Sequence, residues 1–202
     1  VSAPWLVLKI FGKWDELLAL TPAHQGTPYL DGIWSYALGS AHLAKGNMNA
    51  ALQQLAKLKT IAEAPNADDY RVGATPASAV LQLAAFGLEG ETLMAQGDLS
   101  GAIEAFRAGV AIEDQNNYTE PPDWAQPMRH YLGAALLKSG QHEAAEVVYR
   151  RDLRWNQNNG WSLFGLHQAL AAQNKQGEAS QVFNQWQKAW AAANVTLTAS
   201  HL

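Results

Sequence analysis

Cysteine is absent from all 202 residues of the chain. Its absence excludes disulfide bonds, thiol nucleophiles and thiolate-bound metal ions. It does not fix the compartment, because chains without cysteine occur on either side of a membrane. We therefore leave the location open between cytoplasm and periplasm.

Basic residues and long apolar runs are also scarce. The chain has 14 lysines and arginines against 18 acidic residues, a net charge of −4, and its densest basic stretch is "YRRDLR" at 149–154. Nucleic-acid binding needs a larger basic surface along the phosphates. The apolar runs end well before the ~20 residues that span a bilayer. We expect neither a nucleic-acid partner nor membrane insertion.

The first ten residues, "VSAPWLVLKI", have no basic stretch before an apolar core and no small-residue cleavage site. They therefore do not fit a signal peptide. Because the chain starts at Val1 and has room for only the end of a helix before Gly12, we expect a processed form or a piece that begins in mid-repeat.

Turns centred on glycine or asparagine recur along the chain. The spacings between them are 34, 51, 43 and 34 residues, which fits a period of 34 with insertions of 17 and nine residues. Such turns are typical of helix ends, where a left-handed residue is favoured. The turn residues are Gly12, Gly46, Gly97, Gly140 and Asn174.

The same residue types flank each turn, which predicts a repeated helix-turn-helix unit. A glycine inside a helix costs about 1 kcal/mol relative to alanine, so we expect the facing helix to approach closely there at its own alanine. A small residue lies seven before the turn (Gly39, Gly90, Gly133, with His167 departing), an alanine five after (Ala51, Ala102, Ala145, Ala179) and a large apolar residue nine after (Leu55, Phe106, Tyr149, Phe183).

This pattern resembles the tetratricopeptide repeat, most fully at Phe86, Gly90, Leu93, Ala102 and Phe106 and again at Leu132, Gly133, Leu136, Ala145 and Tyr149. The resemblance implies an all-α fold, a right-handed superhelical stack of about four full repeats with a truncated one at the N-terminal end. We predict one domain over 1–202, with the truncated repeat at 1–24 and full repeats at about 32–65, 76–112, 124–157 and 160–194.

Residues 120–166 are also similar to the C-terminal part of larger bacterial tetratricopeptide-repeat proteins that have no assigned activity. The shared elements are "EPPDW" from 120, "RDL" from 151 and "GWSL" from 160. This similarity adds no catalytic residue.

Two insertions interrupt the period. In "TIAEAPNADDYRVGATPASAV" at 60–80 we expect a loop, with Thr75 as N-cap and Pro76 as first residue of the next helix. Its residues 68–71 form either a ligand-facing tip or a solvated connector. In "IEDQNNYTEPPDW" at 112–124 the prolines hold the chain extended until Asp123 or Trp124 starts a helix, with Pro127 near its first turn.

Catalytic and metal-binding patterns are missing from the sequence. No two of the six histidines have the one-turn spacing that places two metal ligands on one helix face. An enzyme would need Glu120, Asp123, Arg129 and His130 to act together, and such clusters are more often ion-pair networks. We expect no enzymatic activity, no catalytic residue, no metal and no cofactor.

Stacked helix pairs offer an extended surface for a peptide, so we predict a protein-protein interaction scaffold or adaptor that binds a peptide or partner segment in a groove. The alternatives are a small-ligand or enzymatic pocket under the 112–124 connector, or a structural domain whose groove its own chain fills. Trp161 and Phe164 either line the groove or pack under a neighbouring element. By the resemblance, the groove residues are Tyr36, Ser40, Glu91, Met94, His130, Lys138, Trp161, Phe164 and Gln168.

Arg129 stands where the repeat places a large apolar residue. Counting outward from the turn at Gly140, Arg129 faces Asp152 across the helix pair, and a buried charge is usually paired. The sequence therefore predicts an ion pair of these two residues, with "EPPDW" as a structural brace. The alternative is that Arg129 points into the groove and holds an acidic ligand.

Overall fold

The computed structural model describes residues 2–21, 26–116 and 119–201, and the chain divides into two compact units, Val1–Gln126 and Pro127–Leu202. Within the described residues almost all of the regular secondary structure is α-helical, so the all-α prediction is confirmed. The superhelical arrangement of a single domain over 1–202 stays a prediction.

The first unit contains three helix pairs and one short hairpin. The pairs follow the predicted repeats closely, since α3–α4 and α5–α6 fall near 32–65 and 76–112. The elements are α1 (Ala3–Ile10), α2 (Trp14–Leu18), α3 (Pro28–Ala44), α4 (Met48–Ala62), a 3-10 turn (Pro65–Asp69), β1 (Arg71–Val72), β2 (Thr75–Pro76), α5 (Ala77–Gln96) and α6 (Leu99–Glu113).

The second unit contains two helix pairs, near the predicted repeats 124–157 and 160–194. A final segment without regular secondary structure follows from about residue 193. The helices are α7 (Met128–Lys138), α8 (His142–Trp155), α9 (Gly160–Ala172) and α10 (Gln176–Ala189).

All five predicted turn residues adopt the left-handed conformation. Their φ angles are 64° at Gly12, 76° at Gly46, 85° at Gly97, 77° at Gly140 and 60° at Asn174. Only glycine and, less readily, asparagine take this conformation at low cost. The turn chemistry read from the sequence is therefore confirmed at each position.

Consecutive helices pack on one another within each unit. In the first unit α5 contacts both helices of the preceding pair, α3 and α4, and in the second unit α9 contacts both α7 and α8. The first helix of a pair therefore completes the core of the pair before it. This packing is consistent with a helical repeat.

Two of the mid-helix glycines, Gly90 and Gly133, pack against rings, and Gly39 packs against Leu88 of α5, so none of the three has an alanine as its nearest contact. A Cβ atom added to Gly90 would overlap the Phe106 ring, and one added to Gly133 would overlap the Tyr149 ring. The close approach is as predicted, but the predicted contact residue is wrong. At Gly90 and Gly133 the large residue nine after the turn fills the space that the missing side chain leaves.

The start of α5 differs from the sequence prediction. Thr75 and Pro76 pair with residues 71 and 72 in a two-stranded hairpin, and α5 begins at Ala77. The reason is a contact 48 residues away in sequence, because the Thr75 Oγ1 atom donates to Asp123 Oδ2 at 2.8 Å and the Thr75 amide donates to it at 3.2 Å.

The predicted helix start at Asp123 or Trp124 is also wrong, because Asp123 accepts hydrogen bonds from Thr75. α7 begins at Met128, directly after Pro127, and residues 120–127 are not helical. A residue before proline disfavours the helical conformation, which keeps Gln126 outside the helix. Asp123 and Trp124 instead contact Thr75 and Tyr36 of the first unit.

Candidate functional site

In the first unit, three of the predicted groove residues surround the side chain of Lys9. α3 places Tyr36 and Ser40 one turn apart on one face, and α5 contributes Glu91. Lys9 Nζ lies 2.8 Å from Glu91 Oε1 and 4.7 Å from the centroid of the Tyr36 ring. Ser40 Oγ donates to the second carboxylate oxygen, Oε2, at 2.6 Å. We call these three residues the ammonium pocket.

The ammonium pocket is closed to solvent by α1. Lys9 is 2% exposed, and the Glu91 side chain is 9% exposed. Two of the eight residues of α1 are buried, Trp5 and Lys9, and the Trp5 ring centroid lies 5.0 Å from that of Trp34. α1 is therefore anchored by an aromatic ring and an ammonium group one helical turn apart. Met94, the fourth predicted groove residue of this unit, is half-buried on α5.

The "EPPDW" stretch braces the first unit. The Trp124 ring lies 5.5 Å from the Tyr36 ring, while Asp123 holds the hairpin at Thr75. A small-ligand pocket under the 112–124 connector was one of the predicted alternatives. At the end of this connector the Trp124 ring contacts the Tyr36 ring. Asn117 and Tyr118 of the 112–124 connector lie outside the described residues.

In the second unit, the segment 194–201, which we call the tail, contacts α7, α8 and α9, including two of the predicted groove residues, His130 and Gln168. Ser200 Oγ donates to the His130 carbonyl at 2.7 Å and bonds the Tyr149 hydroxyl at 2.7 Å. The His201 ring stacks on Tyr131 with 4.8 Å between centroids. Gln168 Nε2 lies 3.5 Å from the Thr198 carbonyl, a weak contact.

The burial of individual tail residues agrees with these contacts. Leu197 and Ser200 are buried, and Thr196 and Thr198 on either side of Leu197 are exposed. Burial raises the pKa of the Tyr149 hydroxyl, against the opposite effect of its hydrogen bond to Ser200. Tyr149 therefore keeps its proton and stays a neutral hydrogen-bonding partner.

Asp152 is bonded by three side chains of the second unit. Ser162 Oγ donates to Oδ2 at 2.6 Å, His130 Nε2 lies 3.3 Å from the same oxygen, and Asn156 Nδ2 donates to Oδ1 at 2.9 Å. Burial alone would raise the pKa of Asp152, but the bonds from His130, Ser162 and Asn156 outweigh it and lower that pKa. Asp152 is held as a buried carboxylate.

The predicted ion pair is corrected by these contacts. The α7 residue that bonds Asp152 is His130, the neighbour of Arg129. Arg129 is itself 8% exposed, in agreement with an inward position. Successive helix residues are about 100° apart around the axis, so a register counted from the turn placed the wrong one of two adjacent residues opposite Asp152.

The aromatic residues Trp161 and Phe164 pack within the second unit. The Trp161 ring contacts Trp190 edge-on at 5.4 Å, and the Phe164 ring lies 5.3 Å from Trp186, both on or just after α10. Of the two predicted alternatives, Trp161 and Phe164 therefore follow the one in which they pack under a neighbouring element. Lys138 is exposed at the end of α7.

The His130, Asp152 and Ser162 cluster is not arranged for nucleophilic catalysis. A nucleophilic serine gives its proton to the histidine, whereas Ser162 and His130 both contact the same oxygen of Asp152. All three side chains are buried. Among residues 2–21, 26–116 and 119–201, no group of three or more histidine, aspartate or glutamate side chains is placed to hold a metal ion.

Comparisons with known proteins return nothing: no family model matches the chain, and no curated protein or solved structure is significantly similar to it. None of the helices in the described part of the chain combines the length and the apolar character needed to cross a membrane.

The sequence did not lead us to two residues, Lys9 in the ammonium pocket and Ser200 in the tail. Lys9 had a signal, because it is the single charge in the apolar stretch "PWLVLKIF". Ser200 had none, since a serine in a polar terminal stretch is unremarkable by itself.

Proposed function

We propose that the protein is a helical-repeat scaffold of the tetratricopeptide kind that holds a non-helical partner segment on the face formed by α7, α8 and α9 of its second unit. The observation that carries this proposal is the tail, which lies on that face through Ser200 and His201. A face that accepts a non-helical segment of its own chain has the chemistry to accept a similar segment of a partner.

The contacts of the tail describe the kind of segment that fits. A buried hydroxyl bonds a main-chain carbonyl and a tyrosine hydroxyl, a flat ring follows it, and an apolar residue, Leu197, lies three positions before it. The two buried side chains of the tail, Leu197 and Ser200, are uncharged. The partner segment is therefore non-helical and uncharged at its buried positions, with a serine-like hydroxyl three positions after an apolar residue.

A structural role for the tail is the second candidate, because the same contacts fit a chain that fills its own groove. The two candidates differ in whether the tail is exchangeable. A covalently attached tail competes at an effective concentration in the millimolar range, so a free peptide must be tested on a chain whose own tail is weakened.

The experiment uses the full chain with Ser200→Ala and His201→Ala, and a fluorescent peptide of the native sequence "NVTLTASHL". We expect the peptide to bind this variant at least about tenfold more tightly than the wild type, because the attached tail no longer competes. The matched control is a variant with Thr196→Ala, which alters an exposed hydroxyl of the tail.

The face is tested with a second peptide in which serine is replaced by alanine, and with Tyr149→Phe in the tail-weakened chain. Each change should weaken binding by about tenfold, since each leaves a buried partner without its hydrogen bond. Equal binding of both peptides, or no saturable binding to the folded tail-weakened chain, would contradict the proposal and favour the structural role.

A further inference from the structure

We propose that the ammonium pocket of Tyr36, Ser40 and Glu91 is a recognition site for a lysine side chain on a partner's helix, and that Lys9 of α1 occupies it within the chain. This site lies in the first unit and does not depend on the function proposed for the tail.

The pocket has the chemistry that selects a primary ammonium group. An ammonium carries three donors and no acceptor; here Glu91 Oε1 accepts from it at 2.8 Å and the face of the Tyr36 ring lies beneath it at 4.7 Å. A cation over a tyrosine ring is attracted by the ring quadrupole. Ser40 fixes the orientation of the carboxylate through Oε2.

The pocket is built without any contribution from α1. Tyr36 and Ser40 lie on α3, Glu91 lies on α5, and these two helices pack directly on each other. The Tyr36 ring is also held by Trp124 and lies against Gly87, where an added Cβ atom would meet the ring at 3.3 Å. The acceptor groups therefore keep their positions when α1 leaves.

α1 is attached in the manner of a docked helical ligand. A helix of a protein core buries three to four side chains in every two turns, whereas α1 buries two in eight residues, four positions apart. Val7 of α1 and Phe11, the residue directly after it, are 50% and 40% exposed. Helices that bind in grooves use such anchors at positions i and i+4.

The charge of the first unit favours a basic partner. Residues 1–126 contain 14 acidic and seven basic side chains. An acidic surface attracts and orients a positively charged partner before contact. The occupant we infer is therefore a partner's helix with an aromatic residue at position i and a lysine at position i+4. Arginine fits less well, because its planar fork does not match a single open carboxylate oxygen.

The experiment measures binding of a fluorescent peptide with the α1 sequence "SAPWLVLKIFG" to the full chain. We expect weak binding to the wild type and at least about tenfold tighter binding to Lys9→Met, because that variant weakens the internal competitor while it keeps the side-chain length. Peptides with lysine replaced by methionine or arginine should bind about tenfold more weakly. Lys59→Met is the control, because it removes a lysine of a half-exposed ion pair.

The pocket is tested by Glu91→Gln in the Lys9→Met chain, which should abolish the tighter binding. Binding to Lys9→Met that is no tighter than to the wild type, or that Glu91→Gln leaves unchanged, would overturn the proposal. A wild-type dimer that Glu91→Gln dissociates would overturn the assignment to a partner, since a second copy would then supply the lysine.

A second measurement covers the case in which Lys9→Met does not fold. In Lys9→Ala the missing atoms correspond to n-propylammonium, so melting curves are recorded in n-propylammonium chloride and in potassium chloride at equal concentration. We expect a saturable rise of about 4–8 °C in Tm with the amine alone. The absence of that rise, or its persistence after Glu91→Gln, would reject the site.

Discussion

The two units use the same pairing of helices but hold segments of the chain by different chemistry. In the first unit a helix is anchored by an ammonium group in a pocket with a buried carboxylate. In the second unit a non-helical tail is anchored by a serine hydroxyl and a stacked ring. The side chains on the helices that face each segment, rather than the pairing itself, therefore decide what kind of segment is held.

The comparison also predicts a difference in how strongly the two segments are coupled to folding. A buried charge left without its partner costs several kcal/mol. A lost neutral hydrogen bond costs about 1–3 kcal/mol when its partner stays buried. Changes at the ammonium pocket should therefore weaken the docking of α1 more than changes at the tail weaken the docking of the tail.

The largest effect is expected for Glu91→Leu. It leaves the Lys9 ammonium buried without its carboxylate and should lower the free energy at which α1 opens by about 3–5 kcal/mol. Amide hydrogen exchange of α1 measures the change. The double variant Lys9→Met/Glu91→Leu should recover most of the loss.

The control substitution is at Glu89, two residues before Glu91 on α5. Glu89 pairs with Lys59 at 2.7 Å, but their side chains are 30% and 43% exposed, so Glu89→Leu should cost about 0–1 kcal/mol. A Glu91→Leu cost no larger than that of Glu89→Leu would show that the ammonium pocket does not contribute as a buried charged site.

A smaller effect is expected for Ser200→Ala. The change leaves the Tyr149 hydroxyl without its partner and should cost about 1–3 kcal/mol, confined to release of the tail. Amide hydrogen exchange of residues 194–201 measures it, with Thr196→Ala as the control for an exposed hydroxyl. Global destabilisation of α7 to α10 by Ser200→Ala, with no faster exchange of the tail alone, would count against a separately docked tail.

The ring stack at the end of the tail should contribute less. His201→Ala removes the ring that stacks on Tyr131 and should cost about 0.5–1.5 kcal/mol. His201→Phe keeps a flat ring and should retain most of this contribution. If both substitutions accelerate exchange of the tail equally, stacking is not what holds it.

The smallest effect depends on pH and concerns Glu146 on α8. Lys175 Nζ lies 2.7 Å from Glu146 Oε2 and Arg150 Nε lies 2.8 Å from Oε1. The hydrogen bond from Lys175, opposed by burial and assisted by Arg150 and Gln173, lowers the pKa of Glu146 to about 2. The folded state therefore binds the proton of this carboxyl more weakly than the unfolded chain does.

A lowered pKa stabilises the fold above the unfolded pKa of about 4.3 and loses that effect as the pH falls towards the folded value. Glu146→Gln should therefore cost about 0.5–1 kcal/mol at pH 6, an amount typical of partly exposed ion pairs. The difference from the wild type should shrink between about pH 4 and pH 2. A difference that does not change over this range would rule out the ion pairs as its cause.

The sequence predicted the local features of the fold well and the long-range ones poorly. Turn residues such as Gly97 and Asn174 report a backbone conformation that depends on the residue itself, so their left-handed geometry was predictable. The hairpin at Thr75 depends on Asp123, 48 residues further on. No local pattern encodes that contact, and the start of α5 was misplaced as a result.

The residues of the candidate site were likewise predictable where a local pattern determines them and not where a distant contact does. A regular repeat predicts which residues of α3, α5 and α7 lie on the groove side, and Tyr36, Ser40 and Glu91 do meet. It does not predict what lies against them, because Lys9 and Ser200 come from outside the full repeats or from an irregular segment. The choice between Arg129 and His130 turned on a single residue of helix register.

The central claim is that α1 and the tail are docked segments that open independently of the helices that hold them. Native-state hydrogen exchange of the full chain tests it most directly, because it gives an opening free energy for each amide. We expect α1 and residues 194–201 to open at lower free energy than α3, α5 and α9, with Lys9→Met accelerating only α1 and Ser200→Ala only the tail. Exchange of α1 and the tail only through global unfolding, with the same response to both substitutions, would contradict it.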